Sequence, residues 1–191
     1  MEVILASQSP RRKQLMELFH IPFTIRVADI DETMDDTKSA QEEVARVSLL
    51  KAEAVPHSKD DIVIAADTIV VCNGQILGKP RDEADARRML TLLSGRDHQV
   101  MTGMTVLRGS RRVVCTEVTD IHFRTLSEKE IGVYIATGEP MDKAGAYGIQ
   151  GGGALFAEKM VGDYYNVMGL PVCRLGQILR DIAPEIMEET P

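Results

Sequence analysis

One apolar stretch in the first half of the chain limits the fold more than any other feature. Ile62–Ala66 and Ile69–Val71 are apolar runs, and only Asp67 and Thr68 separate them. Such a run is typical of a central strand covered on both faces, as in α/β proteins. Charged residues rarely interrupt it unless they are paired or bind a cation. Asp67 is therefore a candidate functional residue, with capping of a loop as the structural alternative.

The residues that follow this strand predict a β-hairpin. Asn73-Gly74 is a strong signal for a two-residue turn, and the chain then returns through Gln75–Leu77 to Lys79. The hairpin is expected to bring Lys79 close to Asp67. These two residues would form either a simple salt bridge or part of a site for phosphate and a metal ion.

A second candidate site lies near the N-terminus, where an apolar run at residues 3–6 predicts a short strand that leads into a helix. Ser9, followed by proline, is typical of a helix N-cap. Ser7, Arg11 and Arg12 join it at the helix N-terminus, where backbone N–H groups and the helix dipole favour an anion such as phosphate. The alternative is an ordinary surface helix that begins with these residues.

An acidic loop follows the strand predicted at residues 23–27. It is either a solvated loop or a site for a hard divalent cation, which prefers carboxylate oxygens. The Ser39–Glu42 capping box then begins a helix, on which Lys51 is expected to be solvated. The acidic residues of the loop are Asp29, Asp31, Glu32, Asp35 and Asp36.

The rest of the chain predicts further helices and strands. Residues 82–93 predict a helix, residues 98–107 and 113–123 an antiparallel hairpin, and residues 154–160 a strand. The glycine-rich loop, residues 142–153, must turn tightly or lie close to a ligand. It fits neither a dinucleotide-binding fingerprint nor a Walker A loop. Together the patterns predict an α/β fold, a mixed sheet with flanking helices, as one domain over residues 1–184 with a frayed acidic tail at 185–191.

Composition narrows the classes of ligand. The net charge of -7 argues against binding to nucleic acid or to anionic membranes. Any phosphate site must then suit a small phosphorylated molecule. The three cysteines lack metal-like or redox-like spacing, and no apolar run approaches the roughly 20 residues of a membrane span. We therefore expect a cytoplasmic protein. His98 and His122 have no second histidine at ligand spacing, so they are expected to be structural or surface residues.

Several blocks of the sequence together resemble the Maf family of nucleoside triphosphate pyrophosphatases. The resemblance implies a fold like that of inosine triphosphate pyrophosphatases, with two lobes around a nucleotide cleft. It implies cleavage of a nucleoside triphosphate to the monophosphate and pyrophosphate, assisted by a divalent cation, and it suggests a homodimer. The blocks cover nearly the whole chain and comprise residues 6–12, 65–70, 78–80, 93–95, 142–151 and 162–171.

The resemblance also implies roles for single residues. Asp67 matches the catalytic carboxylate of the family, and Arg12, Thr68 and Gln150 match positions tied to substrate choice. Thr68 and residues 142–151 resemble the branch that acts on dTTP and UTP, or on modified pyrimidine nucleotides, rather than the branch that prefers 7-methyl-GTP. On chemical grounds, Gln150 can pair with the edge of uracil or thymine.

Chemistry suggests the remaining assignments. Asp67 and Glu32 are expected to hold Mg²⁺ or Mn²⁺, since the available ligands are oxygen atoms. Asp29, Asp31 and Asp35 are alternatives to Glu32. Asp67 would also take a proton from the attacking water as general base. The expected phosphate ligands are Ser7, Ser9, Arg11, Lys51 and Lys79.

Two other functions stay open from the sequence. One is a purine-directed pyrophosphatase that removes inosine or 7-methylguanosine triphosphates, against which Thr68 and Gln150 weigh. The other is a nucleotide-sensing regulator of cell division that binds a triphosphate without turnover. An intact Asp67 argues against a sensor, because a sensor does not need a general base.

Overall fold

The computed structural model describes residues 1–33 and 37–188, which form a seven-stranded mixed sheet with flanking helices. The order of the strands is β2-β1-β3-β5-β6-β7, with β4 paired to β3. Strand β1 is parallel to both β2 and β3, whereas β4 is antiparallel to β3 and β7 to β6. The predicted α/β class is therefore confirmed. The strands are β1 (Val3–Leu5), β2 (Thr24–Ile25), β3 (Ile62–Cys72), β4 (Gln75–Leu77), β5 (Asp97–Arg108), β6 (Arg111–Phe123) and β7 (Ala157–Val161).

The α-helices of the described residues begin largely where the sequence predicts. The side chains of Ser9, Ser39 and Ser127 cap the first, second and fourth helices, and the last two of these serines form complete capping boxes. Their bounds are α1 (Pro10–Glu17), α2 (Ala40–Ala54), α3 (Glu83–Leu93), α4 (Glu128–Ile135), α5 (Tyr164–Met168) and α6 (Val172–Ile182). None of the helices in this part of the chain is long and apolar enough to span a membrane.

The chain divides into two compact units, and neither is continuous in sequence. Unit 1 comprises Met1–Asp67, Thr102–Glu117 and Gly169–Pro191, and unit 2 comprises Thr68–Met101 and Val118–Met168. Strands β3, β5 and β6 each contribute residues to both units. Each unit has an apolar core of its own, one centred on Ile4, Val63 and Leu107 and the other on Phe123 and Leu90.

Helix α2 is held tightly against strand β5 within unit 1. A Cβ atom added to Gly103 would lie 2.7 Å from the backbone nitrogen of Ala45 and still closer to the carbonyl group of Val44. The buried hydroxyls of Ser48 and Thr105 share a hydrogen bond of 2.8 Å beside this contact. Only a glycine allows two backbones to approach so closely. The position of α2 on β5 is therefore fixed by direct backbone contact.

The core of unit 2 contains a group of aromatic side chains around Phe123. The rings of His98, Tyr147 and Phe156 pack edge-on against it, at centroid distances of 4.8, 4.7 and 5.8 Å. His98 Nε2 and the Tyr147 hydroxyl share a hydrogen bond of 2.8 Å. His98 is therefore a buried structural residue, and the half-exposed His122 lies at the surface beside Asp97. Both agree with the interpretation made from the sequence.

Local predictions were wrong in several places. Strand β2 has two residues instead of the five predicted. Residues 152–155 form a 3₁₀ turn, so the strand expected from residue 154 begins at Ala157. Leu18 follows the end of α1 at Glu17 and is 48% exposed, whereas Leu15 and Met16 within the helix are buried.

The described residues of the acidic end make contacts within unit 1. Residues 184–186 form a 3₁₀ turn, and the carboxylate of Glu185 pairs with Arg108. Met187 is buried. Residues 189–191 lie outside the described part of the chain, and the frayed tail stays a prediction.

The buried His98 predicts a pH dependence of stability. Burial lowers its pKa from 6.5 to about 4, although the charge of Asp97 opposes this shift and that of His122 adds to it. The unfolded chain therefore binds this proton more readily, so His98 favours folding above pH 6.5 and loses that contribution as the pH falls through about 4. The loss should reach about 3 kcal/mol. Urea unfolding between pH 4 and 7 should give a shallower pH dependence for His98→Gln, and equal slopes would contradict this assignment.

Candidate active site

Three charged side chains meet at the edge of unit 1 and form an acid–lysine cluster of Glu32, Lys51 and Asp67. The Lys51 ammonium lies 2.7 Å from Asp67 Oδ1 and 3.1 Å from Glu32 Oε1. Side-chain exposure is only 16% for Lys51 and 13% for Asp67, against 57% for Glu32. One cation thus lies between two carboxylates, which leaves the cluster with a net negative charge.

Two rigid elements fix the less exposed members of the cluster. Asp67 lies within β3 between the buried Ala66 and the half-buried Thr68, and Lys51 lies in the last turn of α2, whose backbone packs closely on Gly103 of β5. The prediction that Lys51 is solvated was wrong. Helical periodicity shows on which side of a helix a residue lies, but it does not show which strand packs against that side. The sequence therefore carried no signal for the pairing of Lys51 with Asp67.

Glu32 is the acidic-loop residue that joins the cluster. The carboxylate of Asp31 instead accepts hydrogen bonds from the backbone N–H and the hydroxyl of Thr33, which lower its pKa. Asp29 is exposed, and Asp35 lies outside the described residues. Among the alternatives that the sequence left open, the geometry therefore favours Glu32.

The cluster fits a small divalent cation in its chemistry. Both carboxylates approach one ammonium, so their oxygens are no further apart than the sum of the two distances to Lys51. Mg²⁺ is commonly bound through one or two carboxylates, with water and substrate phosphates as its other ligands. No group of three or more histidine, cysteine, aspartate or glutamate residues with metal-binding geometry occurs among residues 1–33 and 37–188. Two protein carboxylates would suit a cation whose other ligands are water and the phosphates of a bound molecule.

The predicted anion site at the start of α1 also lies in unit 1. The buried Ser7 hydroxyl accepts hydrogen bonds from the backbone N–H of Ser9 and from Arg12 Nη1, both at 3.2 Å. Ser9 Oγ in turn accepts from the backbone N–H of Arg12 at 3.5 Å. These bonds shape the turn between β1 and α1 and fix the hydroxyls at the positive end of the helix.

The two arginines of this turn differ in their surroundings. Arg12 Nε donates to the carbonyl of Gly169 at 2.8 Å, so its guanidinium joins the α1 turn to the segment between α5 and α6. Burial lowers the Arg12 pKa, and the charges of Asp67 and Glu32 oppose that effect. The half-buried Arg11 also contributes, as its charge lowers the Arg12 pKa. The guanidinium groups and the acid–lysine cluster thus lie within electrostatic reach of each other.

The other predicted site residues belong to unit 2. Lys79 is exposed and follows β4, whose Leu77 pairs with Val70 on β3, and Thr68 is half-buried on β3. The glycine-rich loop packs on this hairpin, because the N–H of Gly145 donates to the carbonyl of Gly78 at 3.0 Å. Gly145 has a φ of 69°, and a Cβ there would lie 2.8 Å from Val70. The loop and the base of the hairpin are therefore brought together within unit 2.

Gln150 is exposed on a loop that buried polar groups hold in place. Tyr134 donates its hydroxyl hydrogen to Glu139 Oε1 at 2.8 Å and accepts from the N–H of Gly148 at 3.0 Å. The other carboxylate oxygen of Glu139 accepts from the N–H of Gly152 at 3.0 Å. A Cβ on Gly151 would collide with this carboxylate. The loop can therefore present Gln150 to a ligand without rearranging its backbone.

Sequence reasoning missed Tyr134 and Glu139. Both precede the glycine-rich loop, and neither lies in a recognisable motif. Their signal is visible only in the structure, where a buried tyrosine and a carboxylate satisfy backbone groups of the loop. The two supporting residues matter because the loop lacks regular secondary structure beyond short 3₁₀ turns.

An acid–lysine cluster beside a helix N-terminus with hydroxyls and guanidinium groups is typical of proteins that handle phosphorylated ligands. Comparison of the sequence with known families agrees, since a family model described as Maf-like protein matches residues 2–182. The chain belongs to the Maf family.

Curated relatives cover nearly the whole chain. A dTTP/UTP pyrophosphatase of Alkaliphilus metalliredigens is 51% identical over 181 residues, which cover 93% of this chain and 94% of the relative. A protein of the same name from Bacillus cytotoxicus is 49% identical over 178 residues, with 93% of each chain covered. Among solved structures, a HAM1 protein from Coxiella burnetii is similar at a TM-score of 0.52, covering 95% of this chain and 99% of that chain. At 14% identity this last likeness concerns the fold alone.

Proposed function

We propose that this protein hydrolyses dTTP and UTP to the monophosphate and pyrophosphate. The observation that carries the proposal is the acid–lysine cluster, in which Lys51 lies between Asp67 and Glu32. Relatives with about half of their residues identical are named dTTP/UTP pyrophosphatase, which supports the choice of pyrimidine substrates.

Asp67 acts as the general base in this proposal. Its carboxylate is fixed by β3 and by the Lys51 ammonium, and it accepts a proton from the water that attacks the phosphoanhydride. Lys51 and Arg11, with the helix α1 N–H groups, offset the negative charge of the phosphate oxygens. Ser7 and Ser9 position those oxygens, and Lys79 supplies a further point charge.

A divalent cation, Mg²⁺ or Mn²⁺, completes the proposed site. Glu32 and Asp67 would hold it, because oxygen ligands suit these metals. When bound, the cation supplies positive charge to the phosphate oxygens and lowers the pKa of coordinated water. Arg12 acts indirectly in this arrangement, since it joins the turn of Ser7 to Gly169.

A panel of nucleoside triphosphates tests the proposal. The purified protein is incubated with each triphosphate and Mg²⁺ or Mn²⁺, and pyrophosphate and orthophosphate are measured separately. Pyrophosphate released mainly from dTTP and UTP is the expected result. Turnover of inosine or 7-methylguanosine triphosphates alone would assign a purine substrate instead. Tight binding without a product would identify a nucleotide sensor, and orthophosphate as first product would place the cleavage at another bond.

Replacement of Gln150 should relax the choice of base. Its amide offers a donor and an acceptor to the uracil or thymine edge, so Gln150→Leu should lower kcat/KM for dTTP and UTP about tenfold, as expected for one or two lost hydrogen bonds. Turnover of the purine triphosphates should change much less. Gln75→Leu, at another exposed glutamine of unit 2, is the matched control. An equal loss for every triphosphate would exclude Gln150 from base recognition.

A further inference from the structure

Helix α2 carries a second charged pair, Glu43 and Arg46, on the N-terminal side of Lys51. Arg46 Nε lies 3.0 Å from each carboxylate oxygen of Glu43, and its Nη2 also pairs with that carboxylate. Glu43 is only 1% exposed. A buried carboxylate is costly unless it is paired and hydrogen-bonded, and its position in the first turn of the helix offsets little of that cost. This pair therefore calls for a structural or functional reason.

The pair contacts the acidic loop at Thr33. Arg46 Nη2 donates to the backbone carbonyl of Thr33 at 2.8 Å. Thr33 directly follows Glu32, whose carboxylate contacts Lys51 on the same helix. The backbone of Thr33 is also fixed from the other side, because its N–H donates to Asp31 Oδ1 at 2.8 Å. Glu43 thus orients the guanidinium of Arg46, and Arg46 holds the loop at the residue next to Glu32.

These contacts hold Glu32 in place although it lies in a loop. Glu32 is 57% exposed and lies in a segment without regular structure, whereas its expected partner Asp67 lies within β3. Through Arg46, the Glu43–Arg46 pair links that segment to α2. Helix α2 in turn packs by backbone contact on Gly103 of β5. Both carboxylates of the acid–lysine cluster are then held by regular elements of unit 1: Asp67 by β3, and Glu32 by α2.

We propose that Glu43 and Arg46 are positioning residues that hold Glu32 in place for the divalent cation. This inference rests on the proposed function, in which Glu32 and Asp67 share the metal. Neighbours that orient a metal ligand are typically worth about 10- to 100-fold in metal affinity. Because Arg46 donates to the backbone carbonyl of Thr33, next to Glu32, an effect of about tenfold is expected.

The test is a titration of the free enzyme with Mn²⁺, followed by electron paramagnetic resonance. Arg46→Met alone removes the ion pair that the buried Glu43 makes with Arg46 and could unfold the protein, so the main variant is Glu43→Gln combined with Arg46→Met. It should bind Mn²⁺ about tenfold more weakly than the wild type. The matched control is Arg112→Met, which removes an exposed ion pair between Arg112 and Glu53 of the same helix and should leave the affinity unchanged.

Activity measurements add a readout that a general loss of structure would not reproduce. The Mn²⁺ concentration that gives half of the maximal rate with dTTP should rise in the Glu43→Gln, Arg46→Met variant, while kcat at saturating Mn²⁺ stays close to that of the wild type. In a Glu32→Gln background the same double substitution should weaken Mn²⁺ binding no further, because the pair acts through Glu32.

Three results would overturn the inference. They are an Mn²⁺ affinity equal to that of Arg112→Met, a full additional loss in the Glu32→Gln background, and a wild-type enzyme that binds no Mn²⁺. Failure of the proposed function is a separate outcome, because it appears as wild-type enzyme that releases no pyrophosphate from dTTP or UTP. The Mn²⁺ affinities still decide the role of Glu43 and Arg46 in that case.

Discussion

Asp67→Asn should lower kcat/KM for dTTP and UTP by about a thousandfold, within the range that a general base contributes. Asparagine keeps the size of the side chain but can neither accept the proton from water nor offer a charged oxygen to a cation. The fold should survive, because Lys51 keeps Glu32 as a partner at 3.1 Å. Release of pyrophosphate and thermal unfolding, measured on the same preparation, check both statements.

Glu53→Gln is the control for Asp67→Asn. It replaces an exposed carboxylate that also has a cationic partner, Arg112, and it should leave the rate unchanged. If Asp67→Asn retained more than about a tenth of the activity, the base would have to be sought elsewhere. A loss of activity that accompanied unfolding would instead assign Asp67 a structural role.

Gly103→Ala should strongly lower the free energy of unfolding, although it adds only one methyl group. The new Cβ would lie 2.7 Å from the Ala45 nitrogen and closer still to the Val44 carbonyl, and these are backbone atoms inside α2 that have no rotamer to change. The added strain should cost about 3 kcal/mol, the upper end for overpacked sites. For a chain of this length that corresponds to a fall in Tm of roughly 10 °C.

Gly78→Ala provides the comparison for this prediction. Nothing lies within 4 Å of a Cβ at Gly78, so its Tm should stay close to that of the wild type. A Gly103→Ala protein that unfolds within about 2 °C of the wild type would mean that α2 can shift on β5 at little cost. Lys51 would then lack the rigid support inferred for it.

The parts of the fold that were predicted correctly are those with a local cause. The caps at Ser9 and Ser39 depend on residues within one helical turn, and the turn at Asn73-Gly74 depends on two. Predictions failed where distant residues decide the outcome. Whether Ala154 belongs to a strand depends on which backbone lies beside it, and there it lies in a 3₁₀ turn.

In the candidate site, too, the sequence identified residues that have a local signal and missed contacts between distant residues. The anomaly of a carboxylate within an apolar strand pointed to Asp67, and the hydroxyls before α1 pointed to Ser7 and Ser9. The pairing of Lys51 with Asp67 joins residues 16 positions apart, and the contact of Arg46 with Thr33 joins residues 13 positions apart. Neither follows a helical or strand period, so only the folded chain shows them. Asp35, another acidic-loop candidate, lies outside the described residues.

The single ammonium shared by two carboxylates has a thermodynamic consequence. In the proposed function, Lys51 and a divalent cation would compete for the same oxygens of Glu32 and Asp67, so a bound cation would weaken the ion pairs of Lys51. The released ammonium would then be available to an incoming triphosphate. By linkage, cation and nucleotide should each increase the affinity for the other by the same factor, a heterotropic coupling that originates in one lysine side chain.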